Sequence, residues 1–159
     1  HREKLTLLKE LQDGGVARPL LAKAEKGASI VTLTYLGGER VMPGYNVMGV
    51  AKAALDMSVR YLANDLGAQH IRVNAVSAGP VNTLAARGIH GFSEILKHVR
   101  EKAPLKRNIE ASEVGDASAF LLSDYSRGIT GEILHVDCGY HAIGMPHPSL
   151  MRTEGNGDS

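Results

Sequence analysis

The sequence has little cysteine, few aromatic residues and almost no net charge. Cys138 is the only cysteine, so an internal disulfide and a cysteine metal cluster are both excluded. Tryptophan is absent and aromatic residues make up 4% of the chain, which argues against base-stacking platforms for nucleic acids. The net charge of +1 indicates neither nucleic acid nor an anionic membrane as a partner. No run of about 18 apolar residues predicts a transmembrane helix.

The remaining composition is that of an ordinary globular domain. Hydrophobic residues make up 43% and charged residues 22% of the 159 positions, which suit one domain. Enzymes that use dinucleotides usually need two βαβαβ halves, for which this length is small. The charged N-terminus lacks the apolar segment of a signal peptide. A cytoplasmic location is expected, because a single cysteine fits a reducing compartment.

Strand-like and helix-like segments alternate along the chain. The β-branched segment from Ala28 to Thr34 predicts a strand buried on both faces, and residues 71–77 and 133–136 predict two more. Helical spacing predicts a long helix from Tyr45 to Leu66, and further helices at 92–101 and from Ser112 onward. Shorter helices are expected at 2–12, 16–26 and 84–87. The alternation predicts an α/β fold with a parallel sheet and right-handed crossovers.

The strongest chemical signal comes from three residues around the start of the long helix: Tyr35, Tyr45 and Lys52. Tyr45 and Lys52 are seven residues apart, which is close to two helical turns, so their side chains share nearly one face. A nearby ammonium favours the phenolate and is expected to lower the pKa of Tyr45, so that the tyrosine can act on a carbonyl or enolate oxygen. Tyrosine and lysine are common, however, and the spacing alone also fits a half-buried tyrosine and a surface lysine.

The motifs around these residues resemble one enzyme family closely. The stretches 29–40 (SIVTLTYLGGER), 44–52 (GYNVMGVAK), 72–85 (RVNAVSAGPVNTLA) and 131–139 are very similar to NADH-dependent enoyl-acyl-carrier-protein reductases of the short-chain dehydrogenase/reductase superfamily. Ordinary members of that superfamily place tyrosine and lysine four residues apart. Here the residue four positions after Tyr45 is Gly49, and the lysine follows at position 52. The resemblance covers about residues 17 to 145. It implies the C-terminal half of a doubly wound, Rossmann-like parallel sheet of about three strands with flanking helices.

The resemblance also implies a role for each matching residue. Tyr45 and Lys52 would be catalytic, with Tyr45 stabilising the enolate oxygen and Lys52 also binding the nicotinamide ribose. The implied substrate-binding residues are Tyr35, Met48, Leu84, Ala85 and Phe92, and residues 84–92 would form a mobile loop over the substrate. The implied cofactor-binding residues, besides Lys52, are Gly79, Pro80, Val81 and Thr83.

The implied cofactor is NADH, and the implied substrate is an enoyl thioester on acyl carrier protein. A homotetramer is implied for the complete enzyme, in which the long helix packs against its copy in a neighbouring subunit. The sequence contains no counterpart of the glycine-containing turn that holds the adenosine half of NADH. Residues 1–16 match the family poorly, and residues 146–159 are expected to be a disordered tail. A truncated chain that lacks roughly the first four strands is therefore expected.

Two other functions remain open at this stage. The chain could be an inactive remnant or a helix-mediated interaction module, or it could be a short-chain ketoreductase, against which the Tyr–Lys interval argues. Other chemical candidates are weak. Asp56, Asp65 and Asp116 are expected to be solvated helix residues, His135 a satisfied buried histidine in a strand, and Cys138 a packing residue. No metal-ligand spacing is present.

Overall fold

The computed structural model describes Leu21, Lys23, Ala24 and residues 27–83 and 91–145. These ranges contain the strands β1 (Ala28–Thr34), β2 (Ile71–Ala78) and β3 (Ile133–Val136) and the helices α1 (Asn46–Gly67), α2 (Phe92–Lys102) and α3 (Ala111–Leu122). The helices predicted at 2–12 and 84–87, the tail at 146–159 and most of the helix predicted at 16–26 lie outside the described residues. The other predicted elements are confirmed, with boundaries that differ by about one residue.

The three strands form a parallel sheet in the order β1-β2-β3. Ala28 pairs with Ile71, and Ala75 pairs with Ile133, so β2 lies in the centre. Most of β2 is buried, as an apolar strand covered on both faces requires. The prediction that β1 is buried on both faces was wrong: β1 is mostly half-buried, and Leu33 is 53% exposed. The reason is its position, because β2 is the only described strand that pairs with it.

The main core lies between α1 and the sheet. Val59, Leu62, Ala63 and Leu66 line the inner face of the helix and contact Ile71, Val73, Ala75 and Ile133. A second cluster contains Ala103, Ile109 and Cys138, and its contacts include Val81 and Tyr140. Burying a large aliphatic side chain contributes about 1.5–3 kcal/mol, so the first cluster holds α1 firmly on the sheet.

Helix α3 begins earlier than Ser112. Glu110 is the N-cap residue, and Glu113 completes a capping box by accepting the Glu110 backbone N–H at 2.8 Å. At the other end, the Arg72 guanidinium donates to the backbone oxygens of Leu121 and Ser123 at 2.9 and 3.0 Å. Carbonyls in the last turn of a helix lack partners within the helix. Arg72 therefore joins the end of α3 to the central strand.

None of the helices in the described part of the chain has the length and apolar character needed to cross a membrane.

Candidate active site

The predicted catalytic residues lie where the strands reach their carboxyl ends. Tyr35 follows β1 directly, and a short turn at Leu36–Gly38 brings the chain back toward α1. Tyr45 is the residue before α1, and Lys52 lies two turns into the helix. In open parallel sheets, ligands bind at this edge, beyond the carboxyl ends of the strands. The fold therefore brings all three residues to the edge where a ligand is expected.

The two tyrosine rings are in direct contact. Their centroids are 5.0 Å apart and their planes meet at 67°, an edge-to-face arrangement. Two glycines make room for it. A Cβ on Gly37 would lie 2.5 Å from Cδ1 of Tyr45, and a Cβ on Gly49 would lie 2.7 Å from the backbone oxygen of Gly37. Position 49 thus has no space for the lysine of the four-residue interval, which agrees with the presence of lysine at position 52.

Lys52 points its ammonium at the end of β1. Nζ donates a hydrogen bond to the backbone oxygen of Leu33 at 2.9 Å, and the side chain is half-buried. An ammonium has three N–H donors. The bond to Leu33 fixes the side chain beside the sheet edge and leaves donors for a ligand.

The electrostatics of the two tyrosines differ from the expectation. Burial raises the pKa of Tyr45, and the prediction that this pKa is lowered was wrong. Burial also raises the pKa of Tyr35, and the neighbouring phenols of Tyr140 and Tyr45 raise it further. The prediction relied on an ammonium next to the phenol, but Lys52 is engaged by Leu33. Both tyrosines therefore keep their protons and can donate hydrogen bonds.

A cavity adjoins Tyr35. It is lined by Tyr35, Leu36, Ser77, Ala78, Gly79, Pro80, Val99, Asp137 and Tyr140. Three of these residues were predicted as site residues: Tyr35, Gly79 and Pro80. Gly79 packs closely against the turn after β3, because a Cβ there would lie 3.2 Å from Cα of Asp137. The cavity thus joins the predicted substrate side at Tyr35 to the predicted cofactor side after β2.

None of the other predicted site residues in the described part of the chain lines this cavity. Val81 packs into the second hydrophobic cluster, and its oxygen accepts the backbone N–H of Thr83 at 2.8 Å. Met48 is 47% exposed on α1, so it is not a core residue. Phe92 is the half-buried first residue of α2. Leu84 and Ala85 lie outside the described residues.

Sequence reasoning missed the turn after β3 as part of the site. Asp137 is 6% exposed, and its carboxylate accepts the backbone N–H groups of Gly139 at 2.9 Å and His141 at 2.8 Å. Cys138 and Gly139 both have positive φ, 57° and 84°, which turns the chain sharply. Tyr140 then reaches the cavity. The signal for these residues was their position directly after a parallel strand.

The weaker candidates have varied outcomes. Asp65 and Asp116 are exposed, as expected, but the prediction that Asp56 is solvated was wrong: it is 4% exposed, and no side-chain oxygen of Asp56 has a hydrogen-bond partner. His135 has a partner, because its Nε2 lies 2.9 Å from Oε1 of Glu39, but it is half-buried rather than buried. Cys138 is buried in the second cluster. Among the described residues, no group of three His, Cys, Asp or Glu side chains could hold a metal ion.

Similarity to known proteins shows the family of the chain. A family model described as "Enoyl-(Acyl carrier protein) reductase" matches residues 15–141. The chain belongs to this family. The NADH enoyl-acyl-carrier-protein reductase FabI of Bacillus subtilis is 65% identical over 125 residues, which are 79% of this chain and 47% of the relative. The NADPH enoyl-acyl-carrier-protein reductase FabI of Staphylococcus aureus is 61% identical over 118 residues, which are 74% of this chain and 46% of the relative.

Solved structures of the family share the fold. The enoyl-acyl carrier protein reductase of Bacillus cereus, determined with NADP⁺ and indole naphthyridinone, has a TM-score of 0.72 at 60% identity, with 74% of this chain and 46% of that chain covered. The reductase of Anaplasma phagocytophilum, determined with NAD, has a TM-score of 0.75 at 57% identity, with 81% and 48% covered. The chain spans about half the length of the curated relatives it matches.

Proposed function

We propose that this chain carries the catalytic face of an NADH-dependent enoyl-acyl-carrier-protein reductase, which reduces the 2,3-double bond of enoyl thioesters in fatty-acid elongation. Tyr45 and Lys52 are the proposed catalytic residues. The observation that carries the proposal is their position at one sheet edge, beside the Tyr35 cavity, in a chain of this family. The proposed reductase domain comprises residues 17–145, and a cytoplasmic location belongs to the same proposal.

The protonated phenol of Tyr45 gives the site its proposed chemistry. Negative charge develops on the thioester oxygen during reduction, and an O–H donor already aimed at that oxygen stabilises the transition state more than the ground state. Burial keeps the Tyr45 hydroxyl protonated, because it raises its pKa. Tyr45 therefore acts as a hydrogen-bond donor to the oxygen, and its proton is available to neutralise the enolate.

The residues proposed to bind the cofactor suit its nicotinamide end. The ammonium retains donors after its bond to Leu33, and these suit ribose hydroxyls. The small residues Ala78 and Gly79 at the end of β2 allow a flat ring to approach the backbone beside the cavity. A bound NADH would supply the hydride for the β-carbon of the enoyl group. Gly79, Pro80, Val81 and Thr83 are the proposed cofactor contacts besides Lys52.

The acyl chain is proposed to extend from Tyr45 across Tyr35. Tyr35 contacts the Tyr45 ring on one side and lines the cavity on the other. The exposed side chain of Met48 and the half-buried Phe92 are available for further contacts. Leu84 and Ala85 complete the proposed substrate-binding set.

Substitution of the two catalytic residues tests this proposal. In the full-length protein, Tyr45→Phe and Lys52→Ala should each lower the rate of crotonyl-thioester reduction with NADH by at least about 100-fold, because each removes a group positioned at the reacting oxygen or its cofactor. The circular dichroism spectrum should not change. Tyr125→Phe and Lys97→Ala, which alter exposed residues of the same types, should retain wild-type rates. Wild-type rates in both catalytic-site variants would refute the assignment.

Substrate choice separates the alternatives. Acetoacetyl thioester is the matched keto substrate, and each thioester is assayed with NADH and with NADPH. Reduction of the keto substrate alone would indicate a ketoreductase.

A fluorescence titration of the 159-residue chain with NADH, beside a full-length relative, tests whether this half binds the cofactor. Micromolar binding would show that the other half of the family's fold is dispensable for the cofactor, whereas absence of binding would show that it is required.

A second copy of the chain is the proposed partner of α1. Val47, Val50, Met57 and Tyr61 are all exposed and follow one another at helical intervals of three, seven and four residues. Such spacing places them on one stripe of the 22-residue helix. Soluble proteins rarely leave a long apolar stripe uncovered. A two-fold contact between two α1 helices would cover it, and a homotetramer of the complete enzyme would contain such contacts.

The oligomeric state of stripe variants tests this contact. In the full-length protein, the double variant Val50→Glu and Met57→Glu should form a smaller species than wild type in light scattering coupled to gel filtration. The reason is that the contact would bury like charges. Leu122→Glu, an exposed apolar position on α3, serves as the control and should leave the mass unchanged. A double variant with the wild-type mass would rule out the α1 contact.

A further inference from the structure

Two histidines near the end of β3 are stacked on each other. The ring centroids of His135 and His141 lie 4.0 Å apart, and the ring planes meet at 18°. His135 belongs to β3, and His141 lies in the short turn Tyr140–Ala142 that follows it. Neither ring belongs to the catalytic pair or to the proposed ligand contacts. A ring contact this close holds the turn against its own strand.

Each imidazole also faces one carboxylate. His135 Nε2 lies 2.9 Å from Oε1 of Glu39, and His141 Nδ1 lies 2.9 and 3.1 Å from the two carboxylate oxygens of Asp137. An ionised carboxylate only accepts hydrogen bonds, so both imidazole nitrogens are donors here. The four side chains therefore form one continuous series, from Glu39 through the two stacked rings to Asp137.

The series joins two turns that flank the end of the central strand. Glu39 directly follows the turn Leu36–Gly38 after β1, whereas His141 lies in the turn after β3. β2 lies between β1 and β3 in the sheet, and the register places Ser77 of β2 beside His135. The contact between Glu39 and His135 therefore spans β2 one residue before that strand ends.

A second contact runs in parallel with the histidine series. The Arg40 guanidinium donates to the backbone oxygen of Ile143 at 3.3 Å. Since Glu39 and Arg40 are adjacent in the chain, the two contacts fix the spacing of the turns more firmly than either contact alone. The side chains of His135 and Asp137 are only 18% and 6% exposed, so water competes weakly for their hydrogen bonds.

The segment after β2 rests on the turn after β3. The backbone N–H of Gly79 donates to the oxygen of Val136 at 2.9 Å, and a Cβ on Gly79 would lie 3.2 Å from Cα of Asp137. Gly79 and Pro80 are the first of the proposed cofactor contacts that follow β2. A shift of the turn after β3 would therefore move the backbone that is proposed to meet the cofactor.

We propose that the stacked pair His135–His141 is a clamp, anchored by Glu39, that positions Gly79 and Pro80 for the nicotinamide cofactor. The inference rests on the proposed function and adds positioning residues to it. The clamp acts through the backbone after β2 rather than through the catalytic pair. Its loss is therefore expected to weaken cofactor binding and to leave the chemical step unchanged.

Cofactor kinetics of the full-length protein test the proposal. His135→Asn and His141→Asn are compared with His70→Asn, the same substitution at an exposed histidine whose positive φ asparagine tolerates. Each clamp variant should raise KM for NADH by about fivefold, the effect of losing one typical hydrogen bond, with kcat on the crotonyl thioester preserved. The control should keep both wild-type constants. An unchanged KM for NADH in both clamp variants, or a loss confined to kcat, would overturn the proposal.

Two further variants test the parts of the clamp. Glu39→Ala removes the anchor and should raise KM for NADH to a similar extent. His141→Phe keeps a ring for the stack, while Asp137 retains the backbone N–H groups of Gly139 and His141 as donors. This variant should have a KM closer to wild type than His141→Asn has. Equal KM values in the two variants would show that the stack does not position the cofactor segment.

Urea unfolding of the full-length protein provides a readout that does not depend on activity. Residues in contact couple, so the double variant of His135→Asn and His141→Asn should shift the urea midpoint by less than the sum of the single shifts. His135→Asn combined with His70→Asn should give additive shifts. Where an asparagine variant does not fold, the glutamine variant at the same position replaces it with the same expectations.

The two readouts separate failure of the clamp from failure of the proposed function. Additive shifts for the pair His135 and His141 would disprove the clamp, whatever the activity. A wild-type protein that is inactive on the crotonyl thioester would overturn the proposed function, and with it the role of the clamp in cofactor binding, even if the two histidines were coupled in unfolding.

Discussion

Tyr35 and Tyr45 are half-buried phenols whose environment favours the protonated form. Removing a phenolate from water is unfavourable, and this raises the pKa of both residues. For a group proposed to donate a hydrogen bond, the effect is useful, because the donor persists throughout the physiological pH range. Lys52 contributes charge near the site, but its hydrogen bond goes to the sheet rather than to a phenol.

The sign of this effect predicts how the tyrosines titrate. In the folded protein, Tyr35 and Tyr45 should ionise above the ordinary tyrosine pKa of about 10. The folded state then binds their protons more tightly than the unfolded state does. Their contribution to stability is complete below pH 10 and is lost as the pH rises through the folded values. Phenolate absorbance measured in native and denatured protein checks this. The variants Tyr35→Phe and Tyr45→Phe identify which titration step belongs to which tyrosine. Native midpoints at or below the denatured ones would contradict it.

At the level of the element, the start of α1 depends on how closely the turn at Leu36–Gly38 approaches the helix. Gly37 makes room for the ring of Tyr45, and a Cβ on Gly38 would lie 2.6 Å from Oδ2 of Asp56. Gly49 meets the oxygen of Gly37 from the helix side. These contacts fix where Tyr45 stands relative to Lys52, so glycine is used here for space rather than for flexibility.

Two helical glycines provide a matched test of this interpretation. Replacing glycine by alanine inside a helix normally stabilises it by about 1 kcal/mol. Gly115→Ala in α3 should show that gain, because its Cβ would meet nothing within 4 Å. Gly49→Ala should instead lower the free energy of unfolding and the catalytic rate, because its Cβ would lie 2.7 Å from a backbone oxygen. Denaturant unfolding of both variants measures the signs. Stabilisation by both substitutions would refute the close approach.

At the level of the whole molecule, the described part of the chain leaves one edge of the sheet and one face of α1 uncovered. The described strand β1 pairs on one side only, and Leu33 at its end is exposed. The apolar stripe of α1 is exposed as well. Unpaired strand edges and uncovered apolar faces both favour association between chains.

The 159-residue chain by itself is therefore expected to associate with itself and to lack a sharp thermal transition. The edge of β1 that no described strand covers and the stripe on α1 provide the contacts, and a full-length relative of about twice the length serves as the control. Gel filtration with light scattering and differential scanning calorimetry measure the two properties. A monomer with a cooperative melt at a mesophilic temperature would disprove this expectation.

The sequence by itself determined the fold class and was enough to identify the proposed catalytic pair. The parallel α/β arrangement followed from strand and helix patterns of different period, and these patterns depend only on neighbouring residues. Tyr35, Tyr45 and Lys52 were identified from motifs with fixed spacing, and the position of Lys52 seven residues after Tyr45 is visible in the chain alone. Helix α1 was predicted to within one residue at each end for the same reason.

Only the tertiary structure decided the pKa of Tyr45 and showed that Tyr140 lines the same cavity as Tyr35. Whether Lys52 lowers the pKa of Tyr45 depends on burial and on what binds the ammonium, and neither can be obtained from spacing. The burial of Asp56 and the half-exposure of β1 depend on which surfaces meet. Tyr140 reaches Tyr35 across more than 100 positions, because parallel strands bring their carboxyl ends to one edge whatever their separation along the chain.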